Sequence, residues 1–174
     1  MSRLFPHAPF AEDQPLAHTI LTTHVLTRAV TAGSIASIGI TSVYHIIPRL
    51  RASVKGTPFA QRLLVSAGTS SLVAMGLTAV ATALRMRGRD TIEWQDRSWR
   101  LLENPGQLET DDWTYAGMGV GAAALAASRG LRRATGWRGV VGAAGLGSVG
   151  GTIGYLAWRY GINGGKFDVK EAVL

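Results

Sequence analysis

The residues with the spacing best suited to chemistry form the run Gly145-Leu146-Gly147-Ser148-Val149-Gly150, a literal GxGxxG after the apolar Val140–Ala144. In a dinucleotide-binding fold such glycines let a helix N-terminus approach a pyrophosphate, and the fold then needs a further strand and an acidic residue about 20 positions on. Asp168 has that spacing, but the stretch to Leu174 leaves no room for the rest of a βαβ unit. The competing reading is helix packing. Gly147/Gly151 and Gly150/Gly154 are both GxxxG pairs, and Gly117/Gly121 is another. Such pairs strip one helix face of side chains, so that a second backbone can come into van der Waals contact.

The other candidates are the histidines His7, His18, His24 and His45. His18 and His24 lie six residues apart, on different faces of a helix, so they make no metal pair. His45 falls in Tyr44-His45-Ile46-Ile47-Pro48 near the end of an apolar block. There it reads either as a proton-transfer group or, beside Tyr44 and Arg49, as an interfacial residue bonded to headgroups or a neighbour. The absence of cysteine excludes a disulfide framework, a thiolate metal site and a Cys nucleophile. No Asp, Glu, Lys or Arg lies well inside an apolar block, which argues against a proton pump or an ion-coupled carrier. The expectation is a non-enzymatic chain without catalytic residues, resident cofactor or metal, and without a nucleic-acid or small-molecule substrate.

The elements that would position these residues are four apolar blocks, 29–47, 63–84, 113–128 and 139–158. With 47% hydrophobic and 17% charged residues, the chain falls short of the charge usual in soluble domains. A crossing of the hydrocarbon core takes about 20 helical residues. Blocks one, two and four have that length; block three is short and spans only with interfacial help from Trp113 and Tyr115 or local bilayer thinning. Between Leu63 and Leu84 the polar side chains are only Ser and Thr, unlike the polar stripe of a soluble-bundle helix. The predicted fold is all-α: an integral membrane bundle of about four helices with glycine-rich packing faces. Residues 1–28 form a Pro-containing N-terminal segment and helix extension, 29–158 the membrane domain, 85–112 an extramembrane loop and 159–174 a tail.

The net charge of +7 needs no nucleic acid to explain it. One short loop carries Arg49, Arg51, Lys55 and Arg62 without an acid, and another carries Arg129, Arg132, Arg133 and Arg138 without an acid. With four crossings both lie on one side, the matrix or cytoplasmic side by the positive-inside rule. They hold only eight of the 18 basic residues, so loop density rather than total sets the assignment. The same arginines and lysine suit anionic lipid headgroups, cardiolipin in a mitochondrial inner membrane. Residues 1–14 show neither a secretory signal nor a cleavable presequence, and Pro15–Leu26 can extend the first helix beyond the bilayer. Pro105-Gly106 marks a turn within the long loop, and Thr91–Leu102 forms a short helix with Trp94, Leu101 and Leu102 on one side. Trp94, Trp99 and Trp113 are expected to dock on the membrane surface or on a partner subunit.

Four Gly/Ala/Ser-rich blocks, basic loops after the first and third, and a mixed loop between the pairs resemble the Tim17/Tim22/Tim23 family of inner-membrane proteins. The stretches carrying the likeness are Gly117-Met118-Gly119-Val120-Gly121 and Gly147-Ser148-Val149-Gly150-Gly151-Thr152-Ile153-Gly154. The lack of cysteine departs from members that carry a disulfide. The resemblance implies a mitochondrial inner-membrane location with both termini in the intermembrane space. One branch of the family serves as an accessory subunit of respiratory complex I, and the Pro-rich start, Leu4 to Leu16, is similar to small fungal subunits of that kind. The expected role is thus a non-catalytic scaffold among other membrane subunits. The alternative is a preprotein-translocase component, for which Ser66, Thr69, Ser70, Ser71 and Thr78 would line a polar groove.

Overall fold

A computed structural model describes residues 4–47, 49–50 and 56–167. Arg51, Lys55 and Asp168 therefore lie outside the described residues. Within them all regular structure is helical: α1 (Ala17–Ile46), α2 (Phe59–Met86), α3 (Thr91–Glu103), α4 (Pro105–Ala127) and α5 (Arg129–Leu156). A 3-10 turn, Ala11–Asp13, precedes α1, and a π-helical turn, Ala157–Ile162, continues α5.

Local chemistry sets the boundaries. Pro58 precedes α2, and Gly88, with φ of 71°, adopts the left-handed conformation just past its end. Asn104 alone separates α3 from α4. Its side chain accepts the Gln107 backbone N–H at 3.2 Å, and Pro105 fills the first helical position, where no N–H is needed. The predicted Pro105-Gly106 turn is thus the opening turn of α4. The predicted basic loop 129–138 is also helical: Ser128 ends α4, α5 begins at Arg129, and the only break is at Gly136 (φ 58°, ψ −152°). That backbone state is open to glycine and strained for other residues.

Three helices are long and apolar enough to cross a membrane: α1, α2 and the continuous stretch Arg129–Ile162. Helix α4 has 23 residues, but its first two turns carry Glu109, Asp111 and Asp112. Its apolar part, from Tyr115 to Ala127, is about 20 Å long, short of the ~30 Å hydrocarbon core.

Helix α5 packs between α2 and α4, α2 between α1 and α5, and α1 also touches α5; α3 lies against α1 and the 3-10 turn. The side-chain distribution is opposite to that of a water-soluble bundle. Ser34, Ser37, Ser71, Ser148 and Thr114 are fully buried, whereas Ile35, Leu77, Val80, Leu84, Val120 and Ile153 point outward. Large apolar faces turned outward around a polar, small-residue interior suit a hydrocarbon solvent.

Candidate functional site

The interior is built from backbone and hydroxyl groups. Ser34 Oγ and Ser71 Oγ are 3.0 Å apart, joining α1 to α2, and the Ser71 hydroxyl also lies 3.2 Å from the Val30 carbonyl. Thr31 Oγ1 and Ser148 Oγ, 2.9 Å apart, join α1 to α5, and Thr114 and Thr152 hydroxyls at 3.2 Å join α4 to α5. Ser37, Ser148 and Thr152 also donate to carbonyls one turn back on their own helices. Each hydroxyl thereby finds a partner in a place without water, where an unmade bond would cost about 1–3 kcal/mol.

Glycines make the approach possible. A Cβ on Gly117 would overlap the Gly147 carbonyl, one on Gly121 the Ala143 carbonyl, and one on Gly151 the Trp113 carbonyl. Gly147 meets Gly117 reciprocally, so α4 and α5 touch backbone to backbone. The other packing candidates fare differently. A Cβ on Gly154 would stand 3.1 Å from the Trp113 ring, and Gly150 has no atom of another element within 4 Å of where a Cβ would stand. Sequence reading also passed over Gly33 against Ser70–Ser71, Gly68 against Arg138, and Gly142 against Leu64. None belongs to a GxxxG pair with another glycine, although small residues at four-residue spacing, such as Gly33 and Ser37, were a usable signal. The GxGxxG run lies within α5, with no strand or loop before it. Gly145 faces Ser34 and Ser71, Gly147 faces α4 and Gly150 faces outward, so no phosphate cradle exists there.

A layer of ion pairs lies at the end of the bundle where α1 starts and α5 finishes. The first turns of α4 supply the carboxylates. Arg28 of α1 donates to Asp111 Oδ1 at 2.7 Å and to Gln107 Oε1 at 3.2 Å, while His24 Nδ1 lies 3.4 Å from Asp111 Oδ2. One turn further along, Thr27 Oγ1 and the Tyr115 hydroxyl are 2.6 Å apart. On the other side of α4, Arg159 grips Glu109 with two nitrogens, the Nε contact at 2.8 Å, and donates to the Lys166 carbonyl. Its guanidinium stands 4.8 Å from the Trp158 ring centroid and 4.4 Å from that of Phe167. The Asp111 side chain is 6% exposed and that of Arg159 also 6%, so each charge depends on its partner. Chemically the arrangement neutralises and positions: it ties α4 to α1 without passing through α2, and ties the end of α5 back to the start of α4.

In the sequence Arg28 and the Asp111–Asp112 pair simply border two apolar blocks. Opposite charges immediately before the first and third blocks were the available signal. The tryptophans singled out for docking also make contacts within the chain. The Trp94 ring stacks on His18 with centroids 4.2 Å apart, and Trp99 Nε1 donates to the Ala8 carbonyl at 2.9 Å. Both hold the chain's own N-terminal segment. Gln95 joins them by donating to the Glu12 carbonyl, and His7 meets Glu103 at 3.2 Å. Gln14, 2% exposed, organises that segment by accepting from Ala8 N–H and donating to the Pro6 and Pro15 carbonyls. Trp113 pairs with Trp158 at 5.7 Å and is 36% exposed; the most open tryptophan is Trp137, 63% exposed, which was not singled out.

At the opposite end, Arg49, Arg129, Arg132, Arg133 and Arg138 are exposed, and Arg62 is half-buried. His45 is exposed and lies 3.4 Å from Arg62 Nη2, with its ring 5.2 Å from Phe59. His45 thus has a neighbouring side chain, Arg62, to bond to. Of the proposed groove residues, Ser71 is turned inward, while Ser66, Thr69 and Ser70 line hollows on the outward side of the α1–α2 contact. No family model, curated protein or solved structure matches the chain.

Proposed function

We propose that the chain is a non-catalytic accessory subunit that stabilises a larger mitochondrial inner-membrane assembly, the membrane arm of respiratory complex I. The observation that carries this reading is how the polar groups are used. The hydroxyls of the seam bond to one another or to carbonyls, and the charges of the end layer are paired, while the outward faces of α1, α2 and α5 are apolar. Such a chain offers neighbours shape and hydrocarbon, and its groups are committed to holding its own helices. In this reading α4 completes a four-crossing bundle, its short apolar part accommodated by the ion-pair layer at the membrane surface. The arginine-rich end faces the matrix and both termini the intermembrane space, with anionic phospholipid and other membrane subunits as partners. The assignment to complex I rests on the resemblance described above.

A preprotein-translocase component is the second reading, favoured by the outward hollows beside Ser66, Thr69 and Ser70. Their walls also include Ile40, Val65, Val73 and Leu77, which suit hydrocarbon better than a polar passenger. Native electrophoresis of gently solubilised mitochondrial membranes, followed by detection of this chain, separates the two. Co-migration with NADH dehydrogenase activity is expected. Migration in a smaller complex that holds an arrested precursor would move the assignment to the translocase, and absence from mitochondria would end both.

A further inference from the structure

The outward side of the α1–α2 contact carries two hollows, of 470 Å³ and 400 Å³. The α1 walls, Ala36, Ile40 and Tyr44, advance by four residues, and the α2 walls advance from Arg62 through Val65 and Thr69 to Val73 and Leu77. Residues so spaced share one helix face, so the hollows are successive stretches of one furrow. From Arg62 to Leu77 it runs roughly 22 Å at the helical rise. That exceeds the ~15 Å depth of one leaflet's hydrocarbon.

The furrow is amphiphilic. Its long stretch is apolar, and its head holds the Arg62 guanidinium, with Thr57 and Tyr44 beside it. Arg62 Nε and Nη1 are enclosed and have no hydrogen-bond partner; among the described residues no other buried side-chain nitrogen or oxygen shares that state. Only Nη2 has a neighbour, His45 Nδ1 at 3.4 Å. A guanidinium with idle enclosed donors is costly, and an anionic phosphate at its open nitrogen, Nη2, would accept a charge-assisted hydrogen bond and offset that charge.

We propose that this furrow binds one phospholipid with an anionic headgroup, its phosphate on Arg62 and one acyl chain along Ala36, Thr69 and Leu77. The proposal rests on the chain being membrane-embedded but not on which assembly it joins. Arg62 differs here from the exposed arginines of the same end: it selects a bound lipid, while they face the general field of the leaflet.

The test is native mass spectrometry of the full-length chain in neutral detergent, titrated with equal amounts of phosphatidylglycerol and phosphatidylcholine of the same acyl chains. Preferential retention of one phosphatidylglycerol is expected. Arg62→Gln lowers that retention about tenfold, the equivalent of one charge-assisted hydrogen bond. Ala36→Trp fills the furrow away from Arg62 and lowers retention of both lipids, whereas Arg133→Gln changes neither. Glycerol 3-phosphate, a headgroup without a chain, does not compete. Equal retention of the two lipids by the wild type overturns the proposal, as does undiminished phosphatidylglycerol retention in both Arg62→Gln and Ala36→Trp. A chain that stays in solution without detergent would instead refute the membrane reading itself, and the furrow with it.

Discussion

Two glycines three residues apart on α5 should respond to alanine with opposite signs. Gly147 meets the Gly117 carbonyl of α4, and a methyl group there would occupy the space of that oxygen. Gly150 has nothing near it. Gly147→Ala must therefore push α4 and α5 apart along their shared face, and because both sides of the contact are backbone, no side chain can rotate away. Overpacking of this kind costs about 1–3 kcal/mol. The loosened Gly121–Ala143 and Gly151–Trp113 approaches lie on the same face and put the expectation in the upper part of that range. Gly150→Ala meets no such obstacle and should stabilise by about 0.5–1 kcal/mol through helix propensity alone. Gly119→Ala, also open, is the matching control on α4. The assay is unfolding of the purified chain in detergent, followed by circular dichroism as sodium dodecyl sulfate is raised. The reasoning fails if the two α5 variants shift the midpoint in the same direction by similar amounts.

Breaking the ion-pair layer should be costly, and removing it whole much less so. Asp111→Asn leaves Arg28 without its counter-charge and should lose about 3 kcal/mol, whereas Arg28→Leu with Asp111→Leu should recover most of that; the same detergent unfolding assay measures the cycle. Arg159→Lys keeps the charge but gives up the two-nitrogen grip on Glu109 and the ring contacts, so a midpoint drop is expected despite the conservative change. Trp99→Phe removes the donor to Ala8 and should speed proteolysis within residues 4–16 at least several-fold, with helix content unchanged. Gly136→Ala should lower stability by about 1 kcal/mol or more, because only glycine takes its backbone angles without strain.

Long elements were legible because their cause is local. A run such as Leu63–Leu84 without a charge or a proline leaves a helix as its only stable form in hydrocarbon, and α2 spans it. Gly117, Gly121, Gly147 and Gly151 advertise bare helix faces by their spacing, but that spacing did not say that α4 and α5 would be the pair to meet. The basic segment 129–138 was harder. Arg129, Arg132 and Arg133 look like a loop by charge, yet nothing in Arg-Gly-Leu-Arg-Arg-Ala-Thr forbids a helix, and only Gly136 interrupts it. What could not be read was pairing across distance. Trp99 and Ala8 are 91 residues apart, and no local pattern says that the aromatic helix α3 will close over its own N-terminal segment. The Arg62 furrow was invisible too: its Arg stands in a series of similar arginines, and only packing separates it from them.

The carboxylates of α4 impose a schedule on the making of the protein. Asp111 waits for an arginine made 83 residues earlier, and Glu109 for one made 50 residues later. Asp111 is neutralised only once α1 lies beside α4, and Glu109 stays bare until residue 159 has been delivered to the same end of the bundle. An incomplete or misordered chain would therefore keep an uncompensated acid. The finished molecule displays none from that pair. The layer that holds the helices together thus also serves as a record that all of them have arrived.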